Sequence, residues 1–177
     1  MGRNSMAMLA VLLIGAVILY VGYRQGLFGS GDSYYKESQP GQGLYSLKIT
    51  GATLTGYMFN SDEKRGKVLV VNIFGTWCGP CVEETPHLVN LFNELNQRGL
   101  EMVMVTEESA QKARPFASFN QIPYAIVPDG EDIVAQVPRF QGYPTTIILD
   151  KSGKVRYQIV GPQVNRIREA VLKLLDE

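Results

Sequence analysis

The stretch Val68–Cys81, VLVVNIFGTWCGPC, decides the fold. Its opening, VLVVNIF, is a nearly continuous β-branched and apolar run with Asn72 as its only polar residue, the pattern of a strand buried on both faces. Beyond it, Cys81–Gln97 reads as a helix: Leu88, Leu91, Phe92 and Leu95 fall at i, i+3, i+4 and i+7 and form one apolar stripe, which Gly99 ends. The strand therefore runs into a helix through Cys78-Gly79-Pro80-Cys81. Two cysteines at that spacing can close a small disulfide ring. At a helix N-terminus, free backbone N–H groups and the positive end of the dipole stabilise a thiolate. Cys78 is the expected nucleophile, and Cys81, one turn inside, the shielded resolving thiol. Pro80 supplies helical φ where its nitrogen needs no hydrogen bond, and Trp77 an aromatic wall.

Other chemistries fit the pair less well. A structural zinc site takes four ligands, and Cys78, Cys81 and the single His87 are the only soft ones in the chain, so no metal is expected. Covalent haem attachment needs His directly after the second cysteine, where Val82 stands. A purely structural disulfide across so short a loop stabilises little. His87 reads as a surface or boundary residue rather than a base.

Outward from this stretch, strands and helices alternate. Tyr45–Ile49 and Thr53–Phe59 read as an edge hairpin, followed by the charged turn Asn60–Lys67. Leu100–Val105 is the next strand, Glu108–Phe119 a short helix, and Tyr124–Val127 a brief strand before Pro128-Asp129-Gly130. Thr146–Asp150 and Lys154–Val160 flank a Lys151-Ser152-Gly153 turn, and Gln163–Leu175 closes the chain as an amphipathic helix. The order implies an α/β domain with a central mixed sheet and helices on both faces.

Composition bounds the partners. The 177 residues carry 17 Lys+Arg and 17 Asp+Glu, which excludes the basic footprint of a nucleic-acid binder. From Met6 to Tyr23, MAMLAVLLIGAVILYVGY holds no charge and is flanked by Arg3 and Arg24. That is the short end of a spanning helix of about 20 residues, and longer than the apolar core of about 7–15 residues in a cleavable signal. Residues 1–23 are therefore expected to form an uncleaved transmembrane anchor, 24–43 a flexible Gly-, Ser- and Gln-rich tether, and 44–177 the domain. Tyr34 and Tyr35 in the tether are candidates for the membrane interface.

Thr76-Trp77-Cys78-Gly79-Pro80-Cys81 resembles the active-site motif of the thioredoxin superfamily. The anchor, the Cys81-Val82-Glu83-Glu84-Thr85-Pro86 run and Gly142-Tyr143-Pro144-Thr145-Thr146 resemble, more narrowly, the membrane-anchored extracytoplasmic TlpA/ResA-type proteins of bacteria linked to cytochrome c maturation. The likeness implies a thioredoxin-like fold with an inserted helix–strand unit within Glu107–Phe140. It implies that Pro144 is a cis-proline against the disulfide, that Tyr143 borders the substrate groove, and that Pro86 kinks the helix. Glu84 matches an acid near the active site. Desolvated beneath the cysteines, it would hold a raised pKa and move protons at Cys81. Glu83 reads as an exposed first-turn acid. Glu107 and Glu108, at a strand end, are expected to be solvated. Unlike thioredoxin itself, the strand before the motif carries no acid.

The function so implied is a thiol–disulfide oxidoreductase on the extracytoplasmic side of the membrane. The Gly79-Pro80 dipeptide resembles that of reducing members. The expected partners are a protein thiol or disulfide, apocytochrome c or another exported protein, and a membrane thiol electron donor. The redox-active disulfide is the expected redox group, without a cofactor, in a monomer. An oxidase or isomerase of the same fold, a peroxidase and a non-enzymatic thioredoxin-fold binding module are the alternatives.

Overall fold

The computed structural model describes Leu13, Gly15, Val17, residues 35–39 and residues 41–177. The chain divides into two compact units, Met1–Asp32 and Ser33–Glu177. In the first, Leu13, Gly15 and Val17 are helical; the remainder of the expected anchor, and Tyr34, lie outside the described residues. Among the described residues no helix is long and apolar enough to cross a membrane.

The second unit contains, in chain order, β1 (Tyr35–Glu37), β2 (Thr50–Ala52), β3 (Met58–Asn60), β4 (Val68–Ile73), α1 (Gly79–Leu95), β5 (Leu100–Val105), α2 (Ala110–Phe119), β6 (Ala125–Val127), α3 (Glu131–Val134), β7 (Thr145–Leu149), β8 (Val155–Val160) and α4 (Val164–Asp176). The central sheet has the order β1-β8-β7-β4-β5-β6, with β4, β5 and β6 parallel and the other pairs antiparallel.

Every residue of β4 is buried, so its two faces feed two cores. Val68 and Val70, continued by Phe74, pack with Leu88, Leu91 and Leu95 of α1, Phe116 of α2 and Ile167, Val171 and Leu174 of α4. Leu69, Val71 and Ile73 face the other way, against Leu47, Ile49 and Phe59 and the Ile133 and Val134 side chains of α3. Truncating any one of the α1 leucines to Ala costs about 2–5 kcal/mol at such sites. Helices do lie on both faces, but unequally: the three longer ones share one side. Right-handed crossovers explain this for α1 and α2, because β4-α1-β5 and β5-α2-β6 advance in the same direction across the sheet. The α2–β6 pair lies within Glu107–Phe140, and β6 occupies one sheet edge.

Two expectations are corrected. The tether ends earlier than residue 43, because Tyr35–Glu37 is a strand paired antiparallel with β8. It has no apolar period because all three residues are exposed. Its anchoring is non-local: Glu37 accepts hydrogen bonds from Tyr157 at 3.0 Å and Lys173 at 2.7 Å. The early hairpin is also shifted, and β2–β3 forms a separate two-stranded sheet rather than an edge of the central one. Leu47 and Ile49 go into the core instead of pairing in the hairpin. The Ile49 N–H donates to Ser61 Oγ at 3.1 Å, which fixes the shifted register.

The register brings three strand ends to one edge. Ile73 of β4 lies opposite Thr145, at the start of β7, and opposite Val105, at the end of β5. The segments just beyond them, 74–78, 106–108 and 142–144, therefore meet.

Candidate active site

Cys78 caps α1, and its Sγ accepts from the Cys81 N–H at 3.3 Å. The two cysteines are joined as a disulfide with Cα atoms 5.2 Å apart. No acidic residue stands in the first turn of α1, so the positive end of its dipole faces the sulfur unopposed. Both cysteines are shielded, Cys78 at 6% exposure and Cys81 at 2%.

On the buried side, Asn72 of β4 lies opposite Thr146 of β7. Its Nδ2 donates to Thr146 Oγ1 at 2.9 Å and, more weakly, to Glu84 Oε2 at 3.4 Å. Glu84 is three residues past Cys81, hence on the same buried face of α1, and is only 2% exposed. Among the described residues its Oε1 has no hydrogen-bond partner. Burial pushes the Glu84 pKa up to about 7, while the Asn72 amide and the backbone at Gln163 pull the other way. The buried Tyr124 hydroxyl is likewise without a partner. Burial and the charge of Glu84 both push its pKa up.

On the open side, Trp77 is 69% exposed. Its ring meets that of Tyr143 edge-on at 5.3 Å, and Tyr143 meets Phe140 edge-on at 5.2 Å. A Cβ at Gly75 would come within 2.9 Å of the Trp77 ring, so glycine is what lets the indole fold back over the loop. The Tyr143–Pro144 peptide is cis. Glu108 accepts the Thr76 N–H at 2.6 Å and the Thr76 hydroxyl at 2.9 Å. Glu107 accepts the Tyr143 hydroxyl.

Trp77, Cys78, Gly79, Pro80, Cys81 and Tyr143-Pro144 thus gather at the N-terminus of α1, with Glu84 beneath them. Glu83 and His87 are exposed, but Glu83 lies beyond the first turn of α1 rather than in it, because the helix begins at Gly79. Glu107 is exposed, as expected of a strand-end acid, and Glu108 is half-buried, but both hold active-site groups, which the expectation of solvated acids did not include. Sequence reasoning missed the partners of Asn72 and the roles of Thr76, Phe140 and Tyr124. The one polar residue in a doubly buried strand was the available signal for the first, because such an amide needs a buried partner. Among the described residues no cluster of three His, Cys, Asp or Glu could hold a metal ion.

These features define the class: a thioredoxin-superfamily thiol–disulfide oxidoreductase working through a Cys78–Cys81 pair. The sequence matches the Redoxin family over residues 39–173, and the chain belongs to that family, as a TlpA/ResA-like member. It is 25% identical over 172 residues to the thiol-disulfide oxidoreductase ResA of Bacillus thuringiensis, spanning 97% of this chain and 95% of that one. Against ResA of Geobacillus kaustophilus the identity is 32% over 109 residues, and the match spans 61% of this chain and 63% of that protein. Among solved structures, a thioredoxin-family thiol:disulfide interchange protein from Chlorobium tepidum superposes with a TM-score of 0.69 at 26% identity, covering 77% of this chain and 99% of its own.

Proposed function

We propose that this oxidoreductase reduces protein disulfides outside the cytoplasmic membrane, held there by its N-terminal segment, with exported thiol proteins, apocytochrome c among them, as substrates. The observation that carries the reading is the Cys78–Cys81 disulfide at the N-terminus of α1 together with a buried, weakly partnered Glu84 three residues further along the same helix. The Gly79-Pro80 dipeptide favours the reducing direction, and the uncharged run Met6–Tyr23 favours the anchor.

In the reduced protein the Cys78 thiolate, stabilised by the α1 N-terminus, attacks a substrate disulfide and forms a mixed disulfide, releasing one substrate thiolate. The Cys81 thiol passes its proton to the Glu84 carboxylate and attacks Cys78 Sγ. The second substrate thiol leaves, and two electrons have moved to the substrate. A donor dithiol reverses the sequence on the Cys78–Cys81 disulfide, with Glu84 returning the proton. The disulfide is itself the redox group, so no cofactor takes part. The cis Tyr143–Pro144 segment, beside the sulfurs, receives the substrate backbone.

The test is the reduction potential of the pair in the full chain in detergent, by equilibration with glutathione or dithiothreitol. A value near the thioredoxin end, about −270 mV, is expected; one towards about −120 mV overturns the reductase and makes the chain a disulfide donor.

A further inference from the structure

Two adjacent carboxylates follow the end of β5, and they grip opposite walls of the site. Glu108 binds both the N–H and the hydroxyl of Thr76, two residues before Cys78. Glu107 binds the hydroxyl of Tyr143, the residue before the cis-proline. The edge-on contact between Trp77 and Tyr143 at 5.3 Å joins the two walls. The result is a closed circuit from Glu108 through Thr76, Trp77 and Tyr143 to Glu107.

Stability does not explain the Glu107 bond. Glu107 is exposed, and a tyrosine hydroxyl at the surface is satisfied by water, so the pairing adds little to the net stability. What the bond does is directional. The Tyr143 ring has one polar tip, and fixing that tip leaves the ring edge set against Trp77. Phe140 supports the ring from its own side at 5.2 Å. Trp77, largely exposed, then presents apolar area directly beside Cys78. A free disulfide of a small thiol does not reach this surface, whereas a polypeptide bringing its cysteine to Cys78 must lay a neighbouring side chain upon it.

We propose that Glu107 is a positioning residue for substrate recognition: by holding the Tyr143 hydroxyl it fixes an aromatic wall with Trp77, which selects polypeptide disulfides whose attacked cysteine is flanked by a flat apolar side chain. The proposal rests on the disulfide-exchange reading above.

The test compares three oxidised substrates of the reduced full chain: a cystine-linked peptide with Phe beside the cysteine, the same peptide with Ser there, and 2-hydroxyethyl disulfide. Wild type is expected to favour the Phe peptide. Glu107→Ala should lower kcat/KM for that peptide about fivefold, the equivalent of one lost hydrogen bond, and leave 2-hydroxyethyl disulfide unchanged; Tyr143→Phe should lower the value for the peptide by the same factor. The double variant should be no worse than either single one, and Glu107→Gln, which keeps an acceptor, should retain most of the preference. Trp77 is the only tryptophan in the chain, so its emission in the oxidised protein should change alike in Glu107→Ala and Tyr143→Phe. Equal slowing of all three substrates, or a Phe preference that survives both single variants, overturns the proposal. A wild type inert towards all three overturns the exchange reading itself, and the selection with it.

Discussion

On the buried side of the Cys78–Cys81 disulfide stands one carboxylate, Glu84, held weakly by the Asn72 amide at 3.4 Å and by the backbone at Gln163. On the open side Glu108 accepts two much shorter hydrogen bonds from Thr76, at 2.6 and 2.9 Å. The same functional group is used in two ways. Desolvated and under-partnered, a carboxyl has its pKa pushed up and can exchange protons; well partnered, it holds backbone in place. The sulfurs lie between a chemical face and a geometric one.

Substitutions separate these faces. The largest effect falls on the sulfurs themselves: Cys78→Ser should reduce turnover to background, while Cys81→Ser should attack once and accumulate a mixed disulfide, visible as a covalent adduct by mass. An adduct on Cys78→Ser instead would reverse the assigned roles.

Next comes Glu84→Gln. Removing the proton carrier should slow resolution by about 100-fold or more, while attack by Cys78 is unaffected. The same substitution acts on stability with a definite sign. Folding raises the Glu84 pKa from 4.5 to about 7, so between those values the folded protein holds a proton that the unfolded chain has released. Stability contributed by the neutral acid is full below pH 4.5 and is lost as pH rises to about 7. Glu84→Gln should abolish that slope and exceed wild type above pH 7 by on the order of 3 kcal/mol, with no advantage at pH 4. Urea unfolding at pH 4 and pH 8 measures it. Parallel wild-type and variant profiles would mean that Glu84 is not desolvated, and the contrast between the two faces would fall.

The two faces also differ in how far they were legible. The chemical face is largely local in sequence. VLVVNIF, the cysteine spacing and Glu84 three residues beyond Cys81 all lie within one strand–helix unit, whose periodicities place them. The geometric face is assembled across the sheet: Glu107 and Glu108 reach Tyr143 and Thr76 because β5 and β7 flank β4 in one register. Nothing in the Glu107-Glu108 pair itself distinguishes a grip from a solvated acid. The early part of the domain failed for a related reason. Tyr35–Glu37 has no apolar pattern and becomes a strand only because β8 offers it an edge. The β2–β3 register depends on Ser61 and on Gly51, where a Cβ would lie 2.5 Å from a Val127 methyl group.

Smaller effects belong to the geometric face. Glu108→Ala removes two charge-assisted hydrogen bonds and should cost about 1.5–3 kcal/mol of stability. It should do so without slowing resolution of the mixed disulfide. Denaturant titration and single-turnover kinetics read the two quantities separately. A variant that slows resolution would bring Glu108 onto the chemical side.

The smallest and most local test is Gly75→Ala. The added methyl group meets the Trp77 ring at 2.9 Å, so the indole must swing away while the Thr76–Glu108 bonds and the disulfide stay as they are. A displaced rotamer costs about 0.5–1.5 kcal/mol. The expected result is altered Trp77 emission and a weaker response to polypeptide disulfides, with unchanged reduction potential. Loss of the Trp77–Tyr143 contact then alters which substrates are received but not how readily the sulfurs exchange electrons. If instead the potential moves with the indole, the aromatic wall is electrically part of the redox centre, and the division into a chemical and a geometric face is wrong at this residue.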